Sequence, residues 1–101
     1  MKAKIFTCLD NKVRAYGPPH FAVDATIAKK MHEQFINSDE GKKTVNPADF
    51  DLYQIGEFCN ETGKITPCDP LHICNLRQLQ SFEEPKVKEE IQDKEVRKAI
   101  N

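Results

Sequence analysis

Asn46-Pro47-Ala48-Asp49-Phe50-Asp51-Leu52-Tyr53-Gln54-Ile55-Gly56-Glu57-Phe58 is the stretch that decides the fold. Asparagine before proline reads as a helix cap followed by a residue with a preset φ. One helical turn is therefore expected to open at Pro47 and close by Phe50. From Leu52 the composition turns β-branched and aromatic, which predicts a strand over 52–59. Gly56 inside that strand has no side chain, so it marks a bulge or the close approach of another element. Counted as a regular strand, Leu52, Gly56 and Phe58 share one side, and Tyr53 and Ile55 the other. Both faces are then partly apolar, one packing on a helix and the other on the C-terminal segment or a second copy. The string reads as a folding signature rather than a binding site.

Downstream, Asn60-Glu61-Thr62-Gly63 is a turn and 64–66 the partner strand of a hairpin. Pro67 and Pro70 bracket its exit, leaving Leu71, Ile73, Leu76 and Leu79 to cover the sheet as a short helix or coil. Upstream, 38–43 reads as a polar loop. Asp24 caps a helix over 25–37, with Ile27, Ala28, Met31 and Phe35 as its buried stripe and Lys29, Lys30 and Glu33 opposite. Residues 3–9 form a strand, with Ile5 and Leu9 on one side and Lys2, Lys4, Phe6 and Cys8 on the other. A short strand over 13–16 ends at Gly17-Pro18-Pro19, where both prolines forbid regular structure. The expected architecture is α+β, with one main helix packed on a small antiparallel sheet in a single domain over 1–80. A charged C-terminal extension, helical or disordered, follows over 81–101. Its pairs Glu90–Lys94 and Asp93–Arg97 suit a helix, but Val87, Ile91, Val96 and Ile100 do not align into one stripe.

The composition bounds what such a chain does. At 101 residues, 39 % hydrophobic and 31 % charged, there is no room for a two-lobed enzyme with its own cofactor domain. The net charge of -1 excludes a histone-like binder whose affinity comes from total charge. Locally the charge is uneven: residues 1–35 carry +3, residues 36–70 carry -4 and the remainder balances. No apolar run approaches the roughly 20 residues of a spanning helix. The apolar stretch after the basic Met1–Lys4 opening ends at Asp10, too short for a secretory leader. Cytoplasmic residence is expected, with Cys8, Cys59, Cys68 and Cys74 reduced there.

Three chemistries suggest themselves from residue types. Cys68, His72 and Cys74, with Cys59, Cys8 or His20, have zinc-ligand chemistry but lack any C-x-x-C knuckle, so no metal and no cofactor is expected. Cys8 or Cys74 with His20, His32 or His72 could form a nucleophile pair, yet no local signature surrounds them, and no catalytic residue is assigned. Four glycines provide no phosphate-binding loop. The third is nucleic-acid binding. Lys2, Lys4, Arg14, Lys29 and Lys30 are interleaved with Phe6, Tyr16, His20 and Phe21, and cations neutralise phosphates while exposed rings stack on unpaired bases. Lys2, Lys4, Arg14, Tyr16, Lys29 and Lys30 are the candidate contacts, provided that Lys2, Lys4 and Phe6 share an exposed face. The bland alternative puts Phe6 and Phe21 in the core and the lysines in solvent.

Lys4-Ile5-Phe6-Thr7-Cys8-Leu9-Asp10, Lys12, Tyr16, Pro19-His20-Phe21, the helix with Ala25, Ala28 and Phe35, the 46–58 string, Thr62-Gly63 and Pro67 together resemble one family. It is the small nonstructural protein of gokushovirus-type microviruses, the single-stranded DNA phages. The resemblance covers about residues 4–80. It implies a DNA-binding protein of genome synthesis that favours single-stranded genome production and packaging, with no catalytic residues to carry over. Cys59 stands where members tend to have an acidic residue, and members commonly end near the position of Leu79. The function expected is a non-enzymatic factor that binds single-stranded DNA or the viral or host replication complex in the bacterial cytoplasm. The alternative is a protein–protein adaptor that never contacts DNA. A homodimer is expected, because a small domain gains from burying the second face of its central strand.

Overall fold

β1 (Lys2–Asp10) is the strand to which most of the sheet is tied, and the computed structural model describes residues 2–81. Along its whole length β1 pairs antiparallel with β4 (Phe50–Cys59), from Lys2 opposite Cys59 to Asp10 opposite Phe50. Its other edge carries two short strands end to end. β2 (Ala15–Tyr16) lies on Leu9 and Asp10, and β3 (His20–Ala22) lies on Lys4, Ile5 and Phe6. β5 (Ile65–Asn75) pairs antiparallel with β4 and forms the far edge, giving the order β2-β1-β4-β5 with β3 also on β1. The charged extension expected from the sequence lies outside the described residues from residue 82 onward.

The first reversal is tighter than the composition suggests. Val13 lies in the turn rather than in a strand, and Arg14 takes a φ of 59°, so only Ala15 and Tyr16 pair. The Gly17-Pro18-Pro19 interruption holds, but the chain returns to β1 immediately after it, and β3 is a strand that the sequence did not suggest.

α1 (Ala25–Ile36) opens as expected on Asp24, whose carboxylate accepts from the Ile27 N–H at 2.9 Å. The segment read as a polar loop is instead a short helix, α2 (Asp39–Thr44). Ser38 caps it, acidic Asp39 and Glu40 occupy its first turn and basic Lys42 and Lys43 its last, the arrangement that suits the helix dipole. Gly41 allows α2 to meet the end of α1, because a Cβ there would overlap the Phe35 carbonyl oxygen. The Asn46-Pro47 turn forms over Pro47–Asp49 as a 3-10 turn, and a second 3-10 turn over Leu76–Leu79 is capped by Asn75. The class is α+β on a five-stranded antiparallel sheet, but α1 shares the covering layer with α2 and the two turns.

The core forms between this layer and one face of the sheet. Phe6, Leu52 and Cys74 come from the sheet, Ala28 and Ile36 from α1, with Ala22 and Leu76 beside them. The stripe expected for α1 is therefore corrected. Ala28 and Ile36 are buried, whereas Ile27, Met31 and Phe35 are 42–47 % exposed. The apolar arc of this helix is wider than one contact surface. Its small side, Ala25 and Ala28, is the one that lets the helix come close to the sheet.

Two irregularities set the faces of β4 and β5. Ile5 pairs Gly56 and Phe6 pairs Gln54, so Ile55 is an extra residue in β4. This bulge reverses the alternation, placing Leu52 toward α1 and Gly56 and Phe58 on the opposite face, contrary to the regular count. Gly56 meets both expectations, since a Cβ there would lie 2.7 Å from the Thr66 carbonyl oxygen. β5 runs on through Pro67 and Pro70 and takes up Leu71 and Ile73, which were expected outside the sheet. An edge strand tolerates prolines because one row of its backbone donors has no strand to serve.

Candidate nucleic-acid interface

On the face turned away from α1, β1 contributes Ile5, Thr7 and Leu9, each less than a tenth exposed. Their cover is a layer of rings from neighbouring strands. Tyr16 stands opposite Leu9, Tyr53 opposite Thr7, Phe21 opposite Ile5 and Phe58 opposite Ala3. Facing pairs share a face, so all four rings lie on one side. Tyr53 and Phe58 are five positions apart and would point oppositely in a regular strand. The bulge at Ile55 brings them together.

The rings form two rows across the sheet. In the first, Tyr16 meets Tyr53 edge-on at 5.8 Å between centroids, and Tyr53 meets His72 edge-on at 5.3 Å. In the second, Phe21 meets Phe58 edge-on at 5.7 Å, beside an apolar hollow of about 370 Å³ that Ala3 and Asn60 help to line. Tyr16 and Phe21 are about half exposed. Tyr53 and Phe58 stand four β1 residues apart in register, so the rows are separated by roughly 13 Å.

Asp51 anchors the first row. Its carboxylate accepts from His72 Nε2 at 3.0 Å, Asn75 Nδ2 at 3.1 Å and Asn11 Nδ2 at 2.6 Å. Burial pushes this carboxyl up, but those three hydrogen bonds outweigh it and hold the group below its ordinary 3.8.

Of the six residues singled out in the sequence, Tyr16 stands on this face. Lys2 and Lys4 have the alternation of Phe6, which is fully buried under α1, so no exposed Lys2–Lys4–Phe6 platform exists. Their ammonium groups lie 3.9 and 3.5 Å from the Glu57 carboxylate. Lys29 and Lys30 ride on α1, the first half-buried and the second exposed. Arg14 sits in the β1–β2 turn and donates to Asn11 Oδ1 at 2.8 Å. Tyr53, Phe58 and His72 were not among the interface residues expected from the sequence; Phe21 was named beside those, with burial in the core as the alternative, and it is 52 % exposed. The signal for Phe58 was Gly56, once read as a bulge that shifts parity.

The thiols and the other histidines lie elsewhere. Cys8 Sγ is 3.8 Å from His32 Nε2, and His32 Nε2 is 3.0 Å from His20 Nε2. Burial, then Cys74 and Asp51, push the Cys8 thiol up to about 11. Burial and the neighbouring His20 pull His32 down to about 4. At neutral pH the contact joins a thiol and a neutral imidazole, not an activated ion pair. Cys59 is drawn down to about 7 by hydrogen bonds at Thr62 and Glu61. All four cysteines are free thiols. Among the described residues, no group of three or more His, Cys, Asp or Glu side chains is placed to hold a metal ion, and no helix is long and apolar enough to cross a membrane.

One face under helices and the other under rings define a small α+β module with an aromatic sheet face. The chain belongs to the phage ORF5 protein family, whose model matches residues 3–79. No curated protein and no solved structure matches it.

Proposed function

We propose that this phage protein binds single-stranded DNA on its aromatic sheet face, as a non-enzymatic factor in genome synthesis or packaging in the host cytoplasm. The observation that carries the reading is that Tyr16, Phe21, Tyr53 and Phe58 form the outer layer of one sheet face. Unpaired bases stack on such rings whatever their sequence, and each stacked base contributes about 1–3 kcal/mol. Membership of a phage family and the resemblance to proteins of single-stranded DNA phages support DNA as the partner. The lysines behind the +3 balance do not line this face, so stacking rather than phosphate neutralisation carries the affinity. Its dependence on salt is correspondingly shallow, equivalent to about one or two phosphate contacts.

The test is binding of a fluorescent single-stranded oligonucleotide at low salt, with fold checked by circular dichroism. Tyr53→Ala and Phe58→Ala should each weaken binding about 5- to 150-fold, the range of one lost stack. Charge removal at Lys29 and Lys30 should leave affinity within about twofold, as expected for groups that contact no phosphate. A wild-type chain that binds no oligonucleotide would sink the reading in favour of a protein adaptor. Unchanged affinity in both aromatic variants would sink the face.

A further inference from the structure

We propose that the aromatic face holds two bases of one strand that are not neighbours, one on each ring row, with one or two nucleotides passing unstacked between them. The inference rests on the reading of this face as a single-stranded DNA site and adds the register in which the strand lies. Within each row, rings that touch are steeply inclined, by 76° between Tyr16 and Tyr53, 77° between Tyr53 and His72 and 66° between Phe21 and Phe58. Consecutive stacked bases are parallel plates ~3.4 Å apart. Rings so inclined cannot each receive one plate of such a parallel run. A base that lies flat on one ring instead meets the edge of the next, the favoured edge-to-face contact of aromatic groups. Each row is therefore a notch for one base rather than a platform for several.

The distance between the rows then fixes which bases are held. Tyr53 stands opposite Thr7 and Phe58 opposite Ala3, four residues along β1, which is roughly 13 Å. Adjacent bases, ~3.4 Å apart when stacked, fall far short of this span. A strand whose bases are parted onto separate rings stretches to about twice that rise per nucleotide. The ~13 Å are then crossed in two steps, or in three where the strand is less extended. Between Tyr53 and Phe58, β4 carries Gly56 on this face, which has no ring to offer the nucleotide in between. Beyond it, Ala3, Phe21, Phe58 and Asn60 line an apolar hollow of about 370 Å³, which gives the second base room to lie against Phe58. The strand therefore runs along β1 and β4 and crosses each row once.

Fluorescent oligodeoxynucleotides of equal length, abasic except for two adenines, test this on the full chain. The adenines are set zero to five abasic positions apart, and an all-adenine strand serves as the control. Affinity should peak with one or two abasic positions between them, about 5- to 150-fold tighter than for adjacent adenines, the range of one additional stack. Adjacent adenines should bind like a lone adenine, because both compete for one row. Tyr53→Ala and Phe58→Ala should each flatten the series, leaving the binding of a lone adenine on the remaining row. A flat wild-type series, or a peak at any other spacing, overturns the register while binding of the all-adenine strand leaves the site itself standing. An all-adenine strand that does not bind removes the site and the register together. If a variant fails to fold, the wild-type series still decides.

Discussion

Asp51 shows how much one side chain can organise. It gathers Asn11 from the first turn, Asn75 from the end of β5 and His72 from the aromatic row around a single carboxylate. Hydrogen bonds to a charged group contribute about 1.5–3 kcal/mol each before the cost of removing the group from water. Asp51→Asn should therefore cost about 1–3 kcal/mol at pH 7. The pH dependence has a definite sign. The carboxyl titrates lower in the folded chain than its ordinary 3.8, so its stabilisation is complete above that value and is lost as pH falls through the folded value. Urea unfolding should show a full gap between wild type and variant at pH 7 that narrows below about pH 4. A gap that stays constant into acid would mean that the charge of Asp51 contributes nothing.

At the scale of the element, β4 is where local sequence and function meet. Its bulge at Ile55 turns the second half of the strand over, so that Tyr53 and Phe58 present their rings to the same side. Gly56 makes this possible by letting the Thr66 carbonyl approach to a position that a Cβ would occupy at 2.7 Å. Gly56→Ala must push β5 away, with a cost of about 1–3 kcal/mol typical of overpacking. The prediction is a lower thermal midpoint and disturbed amide resonances for Phe58 and Thr66, with Leu52 and Cys74 little changed. A variant as stable as wild type would show that β5 yields freely at this point.

For the whole molecule, the contacts of the described fold close on themselves before the charged extension begins. Among the described residues the last of the core is Leu76, with Leu79 packed against that core, and the Ser81 N–H donates to Asn37 Oδ1 at 2.8 Å, at the end of α1. The family match ends at the same place, residue 79. A chain truncated after Phe82 keeps every one of these contacts. Its midpoint in differential scanning calorimetry should therefore match that of the full chain, as should its affinity for an oligonucleotide. A large drop in the midpoint would show that residues 83–101 contribute to the fold, and a selective loss of binding would show that they carry the function.

Local chemistry determined what could be read from the chain alone. Asp24 and Asn46-Pro47 announce helical starts because a cap is a contact between residues two or three positions apart. The strands at 3–9 and 52–59 announce themselves by composition, and Gly56 by its missing side chain. Tertiary structure decided what depends on partners distant in sequence. Which half of the broad apolar arc of α1 is buried followed from how closely Ala28 lets it approach Phe6 and Leu52, not from the periodicity. That β5 continues past two prolines followed from its place at the sheet edge, where its pairing with β4 slips from Pro67 to Leu71 and so passes over Pro70. The aromatic face exists only in the folded chain, because Tyr16, Phe21, Tyr53, Phe58 and His72 come from four strands, and a one-residue bulge decides the side on which Phe58 emerges.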